Sequence, residues 1–250
     1  MLEFCLRVLA ITVVAYFCGC FNGAVIVSKY ILRDDVRTHG SGNAGLANFY
    51  RTFGGPLTAV VILLDVVKMV VAVLFGVFMA THLSAAGQVL GLDVPAEWYG
   101  ALNGGEAFHG FSKVLNGDFS YTYSYVILAK YWAGLWCVLG HMYPCMFHFK
   151  GGKGVLSGGT LVWMIDWRIG LVAWGGFLLL AVLTKWVSLG SVWAGFSYPI
   201  STWFAFRDPL LVILAIIPGW LLVWKHRGNI QRILKGTESK FSFHHKKDAG

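Results

Sequence analysis

Long apolar runs with almost no charge in their interiors constrain this chain more than any other feature. They fall at about residues 6–30, 56–80, 123–143, 155–165, 169–183, 192–206 and 209–224, and only Asp65, Lys68 and Lys130 interrupt their interiors. A backbone in lipid has no water to bond with, so each run must satisfy its own N–H and C=O groups as a helix. The reading is an all-α integral membrane protein of about seven transmembrane helices. Composition agrees: 13% of residues are charged, where a soluble domain carries about 25%, and the mean hydropathy is +0.64.

Charge placement orients the helices. Of the lysines and arginines other than Lys68 and Lys130, fourteen fall on one side and four (Arg7, Lys113, Arg168, Arg207) on the other. Cytoplasmic loops carry the excess of Lys and Arg, which places the N-terminus outside and the C-terminus in the cytoplasm. Between helices 2 and 3 the apolar character lapses over residues 81–122, where Asp93, Glu97, Glu106 and Asp118 outnumber Lys113. That stretch reads as an extracytoplasmic insertion, with short interfacial helices around residues 95–98 and 108–115. Residues 1–240 form one membrane domain, and 241–250 a frayed basic tail. The net charge of +8 does not indicate nucleic acid, because the basic residues cluster at the ends of apolar runs, where they set topology and meet anionic lipids or substrates. Cys5, Cys18, Cys20, Cys137 and Cys145 lack metal-ligand spacing and a disulfide framework.

The segment from Gly140 to Val155, GHMYPCMFHFKGGKGV, ends one apolar run and opens the next. Pro144 halts the first helix, and Gly151, Gly152 and Gly154 remove side chains that would keep a ligand from backbone N–H groups. A helix beginning near Val155 aims its unpaired N–H groups and positive dipole end at that point. The expected ligand is an anion, most simply a phosphate, with Lys153 beside it. This is not a Walker A loop, which requires Gly where Phe147 stands and Ser or Thr where Gly154 stands.

The other polar segments fall on the same side. Gly40 to Arg51 interleaves glycines, including Gly45, with Ser41, Asn43 and Asn48, and ends in a guanidinium suited to phosphate. Asp65 and Lys68 share one face of helix 2 and can pair, either as a structural ion pair or as part of a polar site. Residues 184–191 return the chain to the inside through Ser188 and Ser191. The stretch after Trp224 carries His226, Asn229 and Glu238 and reads as a short surface helix closed by Gly236.

Together these segments resemble the bacterial acyl-phosphate:glycerol-3-phosphate acyltransferases (PlsY family). The resemblance rests on Gly40-Ser41-Gly42-Asn43 to Arg51, Asp65 to Lys68, Gly140-His141 to Gly154, Ser188 to Ser191, and His226 to Glu238. It implies transfer of a fatty acyl group from acyl phosphate to the 1-hydroxyl of glycerol 3-phosphate, giving lysophosphatidic acid. It further implies a multi-pass protein of the bacterial inner membrane, an active site facing the cytoplasm, no cofactor or metal, and a relation to the enzyme that supplies acyl phosphate.

Carried over by position, the catalytic set is Ser41, Arg51, Lys153, His226 and Asn229. The substrate-binding set is Asn43, Gly45, Asn48, Lys68, His141, Gly151, Gly152, Gly154, Ser188 and Glu238. His226 or the substrate phosphate would accept the hydroxyl proton, and His141 would orient the loop. The chain departs from the family in having Leu46-Ala47 where a threonine is typical, which removes one hydroxyl, and in its long insertion. Acyltransferases with a His-x4-Asp pair are excluded, since no histidine has Asp five positions on, and no Gly-x-Ser-x-Gly elbow occurs. A membrane transporter or binder of an anionic solute is the second class the sequence leaves open.

Overall fold

The computed structural model describes residues 2–89 and 125–241. The expected tail from 242 onward, and most of the expected outer insertion with its interfacial helices, lie outside the described residues. In order come α1 (Leu2–Cys20), α2 (Gly23–Ile26), α3 (Leu46–Phe53), α4 (Leu57–Val89), α5 (Tyr125–Met142), α6 (Val155–Ile165), α7 (Trp167–Thr184), α8 (Val187–Phe206), α9 (Pro209–Lys225) and α10 (Arg227–Leu234). No strand occurs among the described residues.

Four boundaries differ from the sequence expectation, each for a local reason. The first run is not one helix: it breaks at Phe21-Asn22, and its two halves meet at 43°. The Oδ1 of Asn22 accepts from the Val25 N–H at 3.1 Å, an N-cap that restarts the helix after the break. The motif from Gly40 to Arg51 is only half loop, since α3 begins at Leu46. Helix α4 continues past 80 to Val89, so the expected insertion starts inside it. Helix α8 begins at Val187, so Ser188 and Ser191, expected in a turn, lie in its first turns.

Helix α1 packs on α4 and α5, α7 on α8, and α9 on both α8 and α5. Helices α1 and α5 approach closely. A side chain on Gly19 would overlap the Cys137 carbonyl, and one on Gly140 would overlap the Tyr16 carbonyl, so the two glycines let the backbones touch. Met69, Tyr131, Met142, Leu161, Ile169 and Leu211 fill the core. The outward surface carries large apolar side chains such as Leu74, Leu179, Leu183, Phe196, Phe204 and Trp220, as lipid contact requires.

One helix length positions the site. Helix α6 has 11 residues, about 16 Å, roughly half of the ~30 Å hydrocarbon thickness. Its far end passes directly into α7 through Asp166, whose carboxylate accepts from the Arg168 N–H at 2.8 Å. Along its length α6 packs against α4, α5 and α7.

Candidate active site

Two braces hold the loops in place. Asn48, fully buried on α3, donates through Nδ2 to the carbonyls of Val36 (2.9 Å) and His39 (3.1 Å) and accepts from the Ser41 N–H (3.0 Å). Arg37 grips Asp35 through Nε and Nη2, and its Nη1 donates to the carbonyls of Phe147 (3.0 Å) and Lys150 (3.3 Å). The first motif is thereby fastened to the glycine-rich loop. Asn48, expected to bind substrate, has both N–H groups committed to this brace, so it shapes the loop that presents Ser41.

The glycine-rich loop divides into two parts. Gly151 and Gly152 are packing glycines: side chains there would overlap the His141 carbonyl and the His141 ring, and the Gly152 N–H donates to the His141 carbonyl at 3.1 Å. They do not form the anion nest that the sequence suggested. Gly154 does begin one. It takes φ +81°, which L residues rarely adopt, and serves as N-cap of α6 with no side-chain cap. The first N–H groups of α6 have no acceptor within the helix, and Gly154, Val155 and Leu156 line the large cavity.

That cavity measures about 460 Å³ and gathers residues from five segments: Ser41, Asn43, Gly45, Asn48 and Arg51; Asp65; His141, Lys153 and Gly154; Ser188 and Ser191; and His226, Asn229 and Glu238. Arg51 spends only its Nε internally, on the Ala47 carbonyl at 3.1 Å, so its terminal amino groups remain for a ligand. Leu46 and Ala47 line the same wall.

On the opposite wall Lys153 donates to Asn229 Oδ1. Asn229 in turn donates to Glu238 Oε1 at 2.6 Å, Ser188 donates to the same oxygen at 2.7 Å, and Arg232 holds Oε2 at 2.7 Å. Glu238, expected to bind substrate, therefore ties the tail to α8 and α10 with both oxygens in use, and it occupies the Ser188 hydroxyl as well. Burial acts to raise the Glu238 carboxyl, but the hydrogen bonds from Asn229, Ser188 and Arg232 outweigh it and hold the group ionised.

Burial pushes Lys153 down to about 8, with Arg232, Arg51 and Lys225 adding to the shift and Glu238 opposing it. Burial is the main cause, and beside it three cations act on Lys153 against one carboxylate, an arrangement that favours binding an anion. His226 is buried, and its Nδ1 lies 2.8 Å from the Leu222 carbonyl. A carbonyl only accepts, so Nδ1 carries the proton and the Nε2 lone pair is left as an acceptor.

Behind the cavity Lys68 donates to Asp65 Oδ1 (2.6 Å), to His141 Nδ1 (2.7 Å) and to the Phe21 carbonyl (3.1 Å). Its three N–H groups are thus committed, and it does not line the cavity. Lys68, expected to bind substrate, is instead the knot joining α4, the break after α1 and the end of α5. Asp65 also accepts from the Gly23 N–H at 3.2 Å. His141 reaches the cavity edge with Nδ1 as acceptor, leaving Nε2 to carry the proton.

A narrow apolar slot of about 40 Å³, lined by Val138, Leu161, Ala173 and Tyr198 among others, adjoins the cavity. Gly154, Val155, Trp174 and Phe177 belong to both. Among the described residues no three His, Cys, Asp or Glu converge as for a metal. A cationic cavity at a helix N-terminus, with an apolar slot beside it, suits a phosphate that bears a lipid tail.

Residues 9–236 match the profile of the glycerol-3-phosphate acyltransferase family. The chain belongs to that family. Members it resembles include glycerol-3-phosphate acyltransferases of Thermoanaerobacter pseudethanolicus, 31% identical over 228 residues covering 91% of this chain and 92% of the relative, and of Clostridioides difficile, 33% identical over 230 residues covering 92% and 93%. Among solved structures the fold is similar to PlsY, an integral membrane glycerol 3-phosphate acyltransferase, in its glycerol 3-phosphate form. The TM-score is 0.67 at 26% identity, over 94% of this chain and 96% of that one. The lysophosphatidic acid form gives 0.64, over 94% and 95%.

Sequence reasoning missed three contributors to this family member's site. Asn22 caps the helix restart and donates to the Ala44 carbonyl at 3.0 Å; its signal was an Asn-Gly pair inside an apolar run. Arg37 read only as a topology charge. Phe241, assigned to a frayed tail, is anchored: its N–H donates to the Lys185 carbonyl at 2.8 Å, its ring centroid lies 6.0 Å from that of Tyr50, and it closes one wall of the cavity with Ser239 and Lys240.

Proposed function

We propose that the protein transfers a fatty acyl group from acyl phosphate to the 1-hydroxyl of glycerol 3-phosphate, releasing lysophosphatidic acid and inorganic phosphate. The observation that carries this reading is the single cavity in which Lys153, Arg51, Ser41 and the start of α6 meet His226 and Asn229, with an apolar slot leading away from it. Both substrates bear phosphates and one bears a tail, which matches a cationic chamber with an apolar annex.

Lys153 and the first N–H groups of α6 hold the phosphate of the donor, and Arg51 with Ser41 holds that of glycerol 3-phosphate. Asn43, Gly45 and Asn229 shape the glycerol pocket. The hydroxyl oxygen forms a bond to the acyl carbon, and the bond from that carbon to the phosphate oxygen breaks. The hydroxyl proton passes to His226 Nε2 or to the phosphate, and the phosphate leaves onto Lys153. The donor is a mixed anhydride with a good leaving group, so orientation and charge stabilisation carry the catalysis. A short α6 would set the glycine-rich loop below the membrane surface, where the phosphate lies close to the lipid that takes the tail.

The membrane arrangement proposed with it has seven transmembrane helices, α6 crossing only part of the thickness, with the N-terminus outside and the C-terminus cytoplasmic, in the bacterial inner membrane. The site then opens to the cytoplasm beside the enzyme that supplies acyl phosphate. Residues 1–240 act as one domain and 81–122 as an outer insertion. The positive-inside distribution and the gathering of the polar loops at one end of the bundle support it.

The test is acyl transfer by the purified protein in lipidic medium, with glycerol 3-phosphate and either acyl phosphate or acyl-CoA, beside Lys153→Ala. Lysophosphatidic acid from acyl phosphate alone, lost in the variant, is the expected result. No product from either donor in folded protein would return anion transport or binding to the front.

A further inference from the structure

We infer that Gly158 sets the length of the acyl chain the protein transfers, an inference that rests on the acyltransferase reading above. The slot follows α6 from Gly154 to Val162, eight residues or about 12 Å along the helix axis. Gly158 stands on its wall one turn below the phosphate end, at a depth of about 6 Å. The slot receives the part of the chain nearest the reacting carbonyl, because it shares Gly154 and Val155 with the cavity, at the point where the anion-binding N–H groups begin.

The glycines around the slot are not equivalent. At Gly159 a Cβ would come within 2.8 Å of the Trp174 ring, and at Gly195 within 2.8 Å of the Gly219 carbonyl. Those glycines let α7 approach α6, and α9 approach α8, so they build the walls. At Gly158 a Cβ would meet no heavy atom within 4 Å. No packing neighbour and no positive φ requires glycine there, and glycine inside a helix is less favourable than alanine. Gly158 lines the slot, and the space its missing side chain would take is open. A side chain at this position would project into the path of the acyl chain without displacing a neighbouring helix.

The experiment compares wild type, Gly158→Ala and Gly158→Leu on a donor series of butyryl, octanoyl, lauroyl and palmitoyl phosphate, with kcat/KM for each donor and KM for glycerol 3-phosphate. Gly158→Leu is expected to lower the palmitoyl-to-butyryl ratio of kcat/KM by at least about tenfold, since each misplaced methylene in an apolar pocket is worth roughly that factor. Butyryl transfer and the KM for glycerol 3-phosphate should stay near wild type. Gly158→Ala should fall between, and because alanine favours the helix it decides the matter if the leucine variant does not fold.

Two results overturn the inference while leaving the acyltransferase reading intact: an unchanged chain-length profile in the variants, or an equal loss with every donor, which would mark Gly158 as a packing residue. A wild-type protein that transfers no chain from any donor overturns the reading itself, and the inference falls with it.

Discussion

Lys68 Nζ stands 2.7 Å from His141 Nδ1 and 2.6 Å from Asp65 Oδ1, with 6%, 3% and 1% of the three residues exposed. Lysine and carboxylate neutralise each other inside the helix bundle, and the histidine at the end of α5 takes its ring orientation from the lysine. The glycine-rich loop then packs on that ring through Gly152. A charge pair in α4 thus sets the height of a loop far along the chain.

Removing one partner should expose how much the bundle depends on this knot. Lys68→Met leaves the Asp65 carboxylate buried and unpaired, which costs about 3–5 kcal/mol. Thermal unfolding in detergent should show a large drop, and Asp65→Leu combined with it should recover most of the loss. A single variant that melts like wild type would show the pair to be dispensable.

The second prediction concerns pH. Lys153 binds phosphate as an ammonium, and with its pKa lowered to about 8 the empty site loses that charge as pH rises through 8. Substrate KM should be flat below this point and climb above it. Lys153→Arg keeps its charge throughout, so its profile should stay flat on the alkaline side even if its turnover is lower. A wild-type KM constant from pH 7 to 9.5 would exclude the assignment.

Glu238 organises one wall without needing to touch substrate. Glu238→Ala releases Asn229, Ser188 and Arg232 together. Hydrogen bonds to a charged group contribute roughly 1.5–3 kcal/mol, so kcat/KM for glycerol 3-phosphate should fall about tenfold to a hundredfold. Glu238→Gln should fall less, because one oxygen still accepts. Steady-state kinetics of the two variants side by side makes the comparison; equal losses would argue against a positioning role.

Gly154 offers a backbone test. At φ +81° an L side chain costs about 1–2 kcal/mol. Gly154→Ala should lower the melting temperature modestly and weaken transfer by tilting the first turn of α6. Gly55, also at positive φ (+67°) with no heavy atom within 4 Å of its Cβ position, serves as the control. Gly55→Ala should show the stability cost without the catalytic loss.

Much of this site was legible in the chain because its signals are local. An apolar run closed by Pro144 and reopened after Gly154 predicts a helix N-terminus at Val155, and the structure places it there. Lys153 and Arg51 read as phosphate partners from their chemistry, and both line the cavity. Less was legible where two residues look alike in sequence but differ in their bonds. Asn43 and Asn48 sit in one polar motif, yet Asn48 spends its amide on Val36 and His39. Gly152 and Gly154 flank the same lysine, yet one packs on His141 and the other begins a helix.

The sequence by itself determined that the chain is helical with large apolar side chains on its outer faces, and which ends of the helices carry polar loops. An apolar run satisfies its backbone within itself, and polar and basic residues at the ends of the runs are read directly from the chain. Only the tertiary structure decided which polar groups stay available to a ligand. A hydrogen bond is spent or spared according to what stands within about 3 Å, and neighbours such as Lys68 and His141, or Asn229 and Lys153, are brought there by packing across more than seventy residues of chain.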